Sequence, residues 1–228
     1  MTTALLLDIE GTTTSIQFVT DVLFPYAARA IPGFIAEHGQ RPDVAEACRL
    51  VVADADDAER RAGGAATVLA VVRRQMAADA KATGLKMLQG LVWEHGYRSG
   101  AITGHVFADV APALRRWKAE GRPAAIYSSG SVLAQRLLFG HSDAGDLSPL
   151  LCGHYDTAMG PKREAPSYAR IAQAWGREPS GIVFASDQPA ECAAAAAAGM
   201  QAVLLMRPGN APLPPGQAFA VHGDLSRL

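Results

Sequence analysis

Cysteine is scarce in this sequence, which has three cysteines among 228 residues. Cys48, Cys152 and Cys192 are far apart and odd in number, so they match neither a disulfide framework nor a metal cluster of recognisable spacing. We expect reduced thiols, as in a cytoplasmic protein. The N-terminus also lacks the basic flank and cleavage site of a secretory signal peptide, which favours the same compartment.

An excess of charge and a long apolar run are missing as well. The chain has 21 Lys+Arg and 22 Asp+Glu, for a net charge of −1, so we expect neither nucleic acid nor an anionic membrane as a partner. No uncharged apolar run reaches the roughly 18 residues that a membrane-spanning helix needs. Because no heptad pattern marks an interface, we expect a monomer.

The chain opens on a short strand pattern that ends in carboxylates. Residues 4–7 are apolar, which is typical of a strand buried on both faces of a parallel sheet. Asp8 ends this run, and Glu10 and Gly11 follow. Ligands of open α/β sheets bind beyond the carboxyl ends of the strands, and two acids so close need a cation or a raised pKa. A solvated acidic turn is the alternative interpretation.

The sequence then changes character twice. Up to about residue 105, apolar residues recur at helical spacing, with Gly63-Gly64 and Gly84 expected between helices. From there on, strand-like and helical segments alternate, which predicts a parallel sheet with helices on both faces. We therefore predict an α/β core of residues 1–14 and 106–228, and an all-helical insertion of residues 15–105 after the first strand.

Polar side chains follow the strands of the predicted core. Because parallel strands end at one edge of their sheet, these side chains can converge with Asp8 and Glu10. Each one alone has a structural explanation, such as a helix cap or a solvated lysine, but the combination is hard to explain in that way. The residues are Ser128, Ser129, Lys162 and Asp187.

Cleavage of a phosphate ester fits this set of groups. A carboxylate nucleophile can take up the phosphoryl group, and the transfer needs positive charge around three equatorial oxygens. Mg²⁺, bound by few carboxylates, supplies part of that charge, and Lys162 adds a point charge. Serine hydroxyls can hold phosphate oxygens, and Glu10 can give a proton to the leaving oxygen and later take one from water.

The order of these motifs resembles that of the haloacid dehalogenase superfamily. Longer strings resemble, within it, the enolase-phosphatases of methionine salvage. The strings are DIEGTT (8–13), DVLFPY (21–26), LQG (88–90) with Trp93, YSSGS (127–131), LFGHS (138–142) and RPGN (207–210). The resemblance extends along the whole chain, and it implies a Rossmannoid α/β core with a helical cap, residues 15–105, that selects the substrate.

The resemblance also implies an activity and the residues that perform it. Such enzymes enolise 2,3-diketo-5-methylthiopentyl-1-phosphate and then hydrolyse it to the acireductone 1,2-dihydroxy-3-keto-5-methylthiopentene. By position, Asp8 would be the nucleophile and a Mg²⁺ ligand, and Asp187 a second ligand. Glu10 would be the general acid/base and would also offer its backbone carbonyl to the metal. The residues that would bind the substrate phosphate are Ser128, Ser129 and Lys162.

Two residue assignments stay open at this point. Glu191 follows Asp187 at a position where the superfamily often carries a further acid, and its participation is undecided. The base that removes the proton for enolisation is also undecided between the core and the helical insertion, where Glu37, Lys86 and Glu94 are available.

Two other functions compete with this one. The alternative is a phosphatase of the same superfamily that acts on another small phosphomonoester. A non-catalytic, response-regulator-like phosphate-binding module would also use an acidic strand end. It needs no general acid at Glu10 and no large insertion, so the sequence fits it less well.

Overall fold

The larger part of the chain is built on a six-stranded parallel sheet. The computed structural model describes residues 3–228. Its strands are β1 Ala4–Leu7, β2 Ala124–Tyr127, β3 Leu151–Tyr155, β4 Ile182–Ser186, β5 Gln201–Leu205 and β6 Ala220–His222. They lie in the order β3-β2-β1-β4-β5-β6, and each neighbouring pair is parallel.

Strand β1 lies inside this sheet, between β2 and β4. Its residues are fully buried, as expected for a parallel strand that is covered on both faces. Leu7, its last residue, pairs with Ile126 of β2 and with Ala185 of β4. The three strands therefore end at one edge. The strand that precedes Asp8 thus lies between the strands that precede Ser128 and Asp187.

The described residues form nine α-helices, of which the first five follow β1 in one uninterrupted helical segment and the last four connect successive strands of the sheet. These helices are α1 Phe24–His38, α2 Pro42–Ala53, α3 Asp57–Arg60, α4 Gly64–Ala77, α5 Thr83–Arg98, α6 Val110–Ala119, α7 Val132–Gly140, α8 Ala165–Trp175 and α9 Pro189–Ala197. Leu6 and Phe184 on one sheet face pack against Tyr168 of α8 and Cys192 of α9. Leu5 points to the opposite face and is equally buried.

The chain divides into two compact units. One ends its first segment at Val19 and resumes at Thr103, and the other is Thr20–Ile102. The sequence placed this division after residues 14 and 105. All of residues 20–102 are described, and they form helices and turns without a strand. Apolar faces of α1, α2, α4 and α5 meet in the core of this helical unit.

Gly84 differs from its expected position. The sequence predicted it between two helices, but it lies in the first turn of α5. A Cβ at Gly84 would stand 2.5 Å from the backbone nitrogen of Val51 in α2. This glycine is therefore required by the close approach of two helices, and that requirement outweighs its poor helix propensity.

The structure also bears on the cysteines and on the apolar character of the helices. Cys48, Cys152 and Cys192 are all free thiols. Among residues 3–228, no helix combines the length and the apolar character needed to cross a membrane.

Candidate active site

Asp8 follows β1 at the start of a closed turn. Its backbone nitrogen donates to the oxygen of Ala185 (3.0 Å), and its Oδ1 accepts from the nitrogen of Ile9 (2.7 Å). The backbone nitrogens of residues 12–14 all donate to the oxygen of Ile9. Gly11 has a φ of +68°, which glycine adopts without strain. Asp8 is 4% exposed, so the interpretation of a solvated carboxylate is wrong for this residue.

Glu10 has the opposite environment. Its side chain is exposed, and its backbone forms an isolated bridge with Thr14. A buried carboxylate and an accessible one are thus held two residues apart by the same turn. This difference suits a nucleophile that is shielded from water and an acid/base that must exchange protons.

Lys162 reaches Asp8 from the loop before α8. Its Nζ lies 2.6 Å from Asp8 Oδ1 and 2.6 Å from Glu191 Oε2, and its side chain is 10% exposed. Burial alone lowers the pKa of Lys162, but the charges of Asp8 and Glu191 outweigh burial, so its pKa is raised above the usual value. Asp8 therefore has a permanent cation beside it.

Glu191, whose participation the sequence left open, completes this cluster. It lies in the first turn of α9, and Ser186 Oγ is 3.0 Å both from Glu191 Oε2 and from Asp8 Oδ2. Burial and the charge of Asp8 raise the pKa of Glu191 to about 7, against the opposing effect of Lys162. The sequence signal for this residue was its position shortly after Asp187, where the superfamily that the sequence resembles often carries a further acid.

Asp187 has a carboxylate oxygen without a partner. Its backbone nitrogen donates to Thr12 Oγ1 (3.1 Å), and its Oδ2 accepts from Gln188 Nε2 (2.8 Å). Its Oδ1 is buried without a hydrogen-bond partner among the described residues. Burial and the charge of Asp8 raise the pKa of Asp187 to about 6. An unpaired, buried oxygen beside another acid is well suited to a hard cation.

The charges of the cluster also favour a cation. Asp8, Asp187 and Glu191 are three buried acids, and Lys162 is paired with two of them. Across residues 3–228, no three His, Cys, Asp or Glu side chains form a group that could hold a metal ion by themselves. Mg²⁺ is usually held by one or two carboxylates, with water and phosphate oxygens as the other ligands. Asp8 and Asp187 match that pattern.

The two predicted phosphate-binding serines follow β2 at the same edge of the sheet. Ser128 is buried, and its Oγ accepts from the nitrogen of Gly130 (3.2 Å), whereas Ser129 is exposed. Helix α7 is capped by Ser131, whose Oγ accepts from the nitrogen of Ala134 (3.3 Å). Capping therefore does not explain Ser128 or Ser129.

Two side chains to which the sequence gave no function hold the turn after Asp8. Arg207 Nε donates to the oxygen of Thr12 (2.9 Å), and Asn210 Nδ2 donates to the oxygen of Gly11 (2.9 Å). Arg207 is 5% exposed and forms a forked ion pair with Asp109, at 2.8 and 2.9 Å. The only sequence signal was the RPGN string after β5, which cannot reveal a partner so distant in the chain.

Loss of the Arg207 guanidinium should destabilise the fold. We expect Arg207→Met to lower the free energy of unfolding by about 3 kcal/mol, because Asp109 is left as an uncompensated, largely buried charge. Arg207→Lys keeps the positive charge but cannot form the forked ion pair, so its free energy of unfolding should lie between those of the parent protein and Arg207→Met. Urea denaturation measures the effect. A change below about 0.5 kcal/mol, the level of ordinary surface substitutions, would contradict it.

The chain is similar to known proteins over nearly its whole length. The family model of the haloacid dehalogenase-like hydrolases matches residues 2–199. The enolase-phosphatase E1 of Synechococcus elongatus is 49% identical over 226 residues, covering 96% of this chain and 95% of the relative. That of Azotobacter vinelandii is 52% identical over 211 residues, covering 91% and 90%.

A solved structure gives the same result. The crystal structure of the UTR4 protein from Saccharomyces cerevisiae matches with a TM-score of 0.85 at 36% identity, and the match covers 100% of both chains. The α/β fold and the family expected from the motifs are thus confirmed. The chain belongs to the haloacid dehalogenase-like hydrolases and, among them, to the enolase-phosphatase family.

Proposed function

We propose that this protein is an enolase-phosphatase of methionine salvage. It enolises 2,3-diketo-5-methylthiopentyl-1-phosphate and hydrolyses the product to phosphate and 1,2-dihydroxy-3-keto-5-methylthiopentene. The observation that carries the proposal is 49% identity to a curated enolase-phosphatase over 96% of this chain. The buried cluster around Asp8 supplies the groups that such a reaction needs.

The first half of the hydrolysis is transfer of the phosphoryl group to the protein. The Asp8 carboxylate attacks phosphorus, and the bond from phosphorus to the leaving oxygen breaks. Glu10 gives its proton to that oxygen. Lys162, held 2.6 Å from Asp8, offsets the repulsion between an anionic nucleophile and an anionic substrate. Ser128 and Ser129 hold phosphate oxygens.

The second half releases phosphate. Glu10, now ionised, takes a proton from a water molecule, which attacks the phosphorus of the aspartyl phosphate. The bond from phosphorus to the Asp8 oxygen breaks and restores the carboxylate. The exposure of Glu10 supports this function, because the attacking water molecule must be able to reach its carboxylate.

We propose Mg²⁺ as the cofactor. The residues that would hold it are Asp8, Asp187 and, through its backbone carbonyl, Glu10. The unpartnered Oδ1 of Asp187 and the excess of buried acids support this assignment. When bound, the ion supplies positive charge to the phosphoryl oxygens.

The remaining parts of the proposal concern the helical segment and the state of the protein. We propose that residues 15–105 act as the cap domain, which selects the substrate and excludes water during the reaction. The enolisation base comes from the core or the cap, with Glu37, Lys86 and Glu94 as candidates. We further propose a cytoplasmic protein, since all three cysteines are free thiols. We propose a monomer, since the sequence has no heptad pattern that would mark an interface.

A single incubation tests the proposed activity. The protein is mixed with the diketo phosphate and Mg²⁺, and enol absorbance and free phosphate are followed together. We expect both signals. Phosphate without an enol signal would identify a phosphatase of another phosphomonoester, and no turnover of this or any activated phosphate ester would indicate a phosphate-binding module.

Substitutions of Asp187 and Lys162 should lower activity with different dependences on Mg²⁺. Asp187→Asn removes one charge from the proposed metal site, so the variant should need far more Mg²⁺ and should recover in part when it is supplied. Lys162→Ala removes a charge whose position Mg²⁺ cannot occupy, so activity should stay low at every concentration. A Mg²⁺ titration of both variants checks this. Rescue of Lys162→Ala, but not of Asp187→Asn, would reverse the two assignments.

A further inference from the structure

The loop that carries Lys162 is held by side chains at four successive backbone carbonyls. Each carbonyl oxygen from residue 159 to residue 162 accepts a hydrogen bond from a side chain of β2 or α8. The pairs are Arg170 Nε with Met159 (2.6 Å), the Tyr127 hydroxyl with Gly160 (2.8 Å), Ser167 Oγ with Pro161 (2.8 Å) and the Tyr168 hydroxyl with Lys162 (2.7 Å).

The two tyrosines are the rigid members of this set. Tyr127 and Tyr168 are both 0% exposed, and their rings pack edge to face with centroids 5.4 Å apart. A tyrosine side chain has only two torsions, and here both are fixed by packing. Burial, reinforced by the charge of Glu191, raises the pKa of Tyr168, so its hydroxyl keeps its proton and stays a donor.

Lys162 needs such support because its own stem is flexible. A lysine side chain has many rotamers and loses conformational entropy when it is fixed, and this one must place Nζ 2.6 Å from two carboxylates at once. Gly160 allows the tight loop with a φ of +117°, and a Cβ there would collide with Ser167 and Arg170. Because the backbone of the loop is fixed at its carbonyl groups, only the side chain of Lys162 remains to be ordered.

We infer that Tyr127 and Tyr168 are positioning residues for Lys162, which hold its backbone so that the ammonium group lies between Asp8 and the substrate phosphate. The inference rests on the proposed binding of phosphate by Lys162. Tyr168 acts directly on the carbonyl of Lys162. Tyr127 acts on Gly160 and also places its ring 5.8 Å from Lys162 Nζ.

The test is a double-mutant cycle read out by the binding of inorganic phosphate. Tyr168→Phe and Tyr127→Phe each remove one hydroxyl and keep the ring. Isothermal titration with phosphate, in buffer with Mg²⁺, should show each variant binding about 2- to 10-fold more weakly, the effect of one hydrogen bond. Steady-state assays of the same variants should show both a lower kcat and a higher KM.

The second arm of the cycle repeats these substitutions in a Lys162→Met background. Methionine keeps an unbranched stem and removes the charge, so phosphate binding should already be weak, and a further Tyr168→Phe change should alter it by less than about 2-fold. An equal loss in both backgrounds would overturn the inference, because the tyrosines would then act on the site without Lys162. Tyrosine variants that bind phosphate like the parent protein would also overturn it.

Two controls separate other causes. Tyr97→Phe removes the hydroxyl of a buried tyrosine in the helical unit and should leave phosphate binding unchanged. Thermal melting of each variant shows whether binding is lost through unfolding. If Lys162→Met alone binds phosphate normally, the assignment of Lys162 itself is wrong. That result would contradict the proposed function of Lys162 and not the positioning by the tyrosines, and it is obtained before the tyrosine variants are measured.

Discussion

Asp8→Asn should lower phosphate release by on the order of 10⁴-fold or more, as removal of a nucleophile does in other enzymes. Asparagine has the shape of aspartate, but its amide cannot form the aspartyl phosphate. The fold should survive, because Lys162 retains its contact with Glu191 at 2.6 Å. A phosphate assay with purified protein, together with circular dichroism to verify folding, measures both effects.

Activity in this variant near that of the parent protein would mean that water attacks the phosphate directly. Asp8 would then be only a metal ligand. The introduced asparagine can deamidate back to aspartate, so the mass of the variant protein must be verified before a small residual activity is interpreted.

Glu10→Gln should slow turnover by about 10²- to 10⁴-fold, the usual contribution of a general acid/base. It should also accumulate phosphoenzyme if attack of water on phospho-Asp8 is the step that most needs a base. Mg²⁺ binding should persist, since the proposed ligand is the backbone carbonyl of Glu10. Rapid acid quench with ³²P-labelled substrate detects the phosphoenzyme, and calorimetry follows the metal.

The exposure of Glu10 makes this variant a clean test. Glutamine at an exposed position should change stability little, so a large loss of rate reports on chemistry. Loss of Mg²⁺ binding, with no phosphoenzyme in the quench, would contradict the acid/base assignment.

The sequence predicted the centre of the sheet well, for a physical reason. Parallel strands that are buried on both faces appear as continuous apolar runs, and β1 was predicted as Ala4–Leu7, the bounds that the structure has. Strand β3 lacks this signal. It lies at an edge of the sheet, and its Cys152 and Gly153 give neither an apolar run nor an alternation, so the sequence marks this strand only weakly.

The site was most predictable where a chemically active side chain follows a strand directly. Asp8, Ser128 and Asp187 could be named because each lies just after a predicted strand. Arg207 could not, because its partners are the backbone oxygen of Thr12 and the carboxylate of Asp109. A hydrogen bond from a side chain to the backbone of another segment leaves no pattern in a sequence, and the tyrosines around Lys162 are hidden for the same reason.

The strand order also decides when the protein can become active during synthesis. Strand β1 is made first, but it pairs with strands that are far away in the sequence. Leu5 lies opposite Ala124 of β2 and Val183 of β4, and both of these residues leave the ribosome much later. The turn after Asp8 is completed later still, because Arg207, which donates a hydrogen bond to the oxygen of Thr12, is made after β4. The helical unit, whose core contacts are local, can form well before that. A chain whose translation stops early is therefore an inactive fragment, although it already carries Asp8.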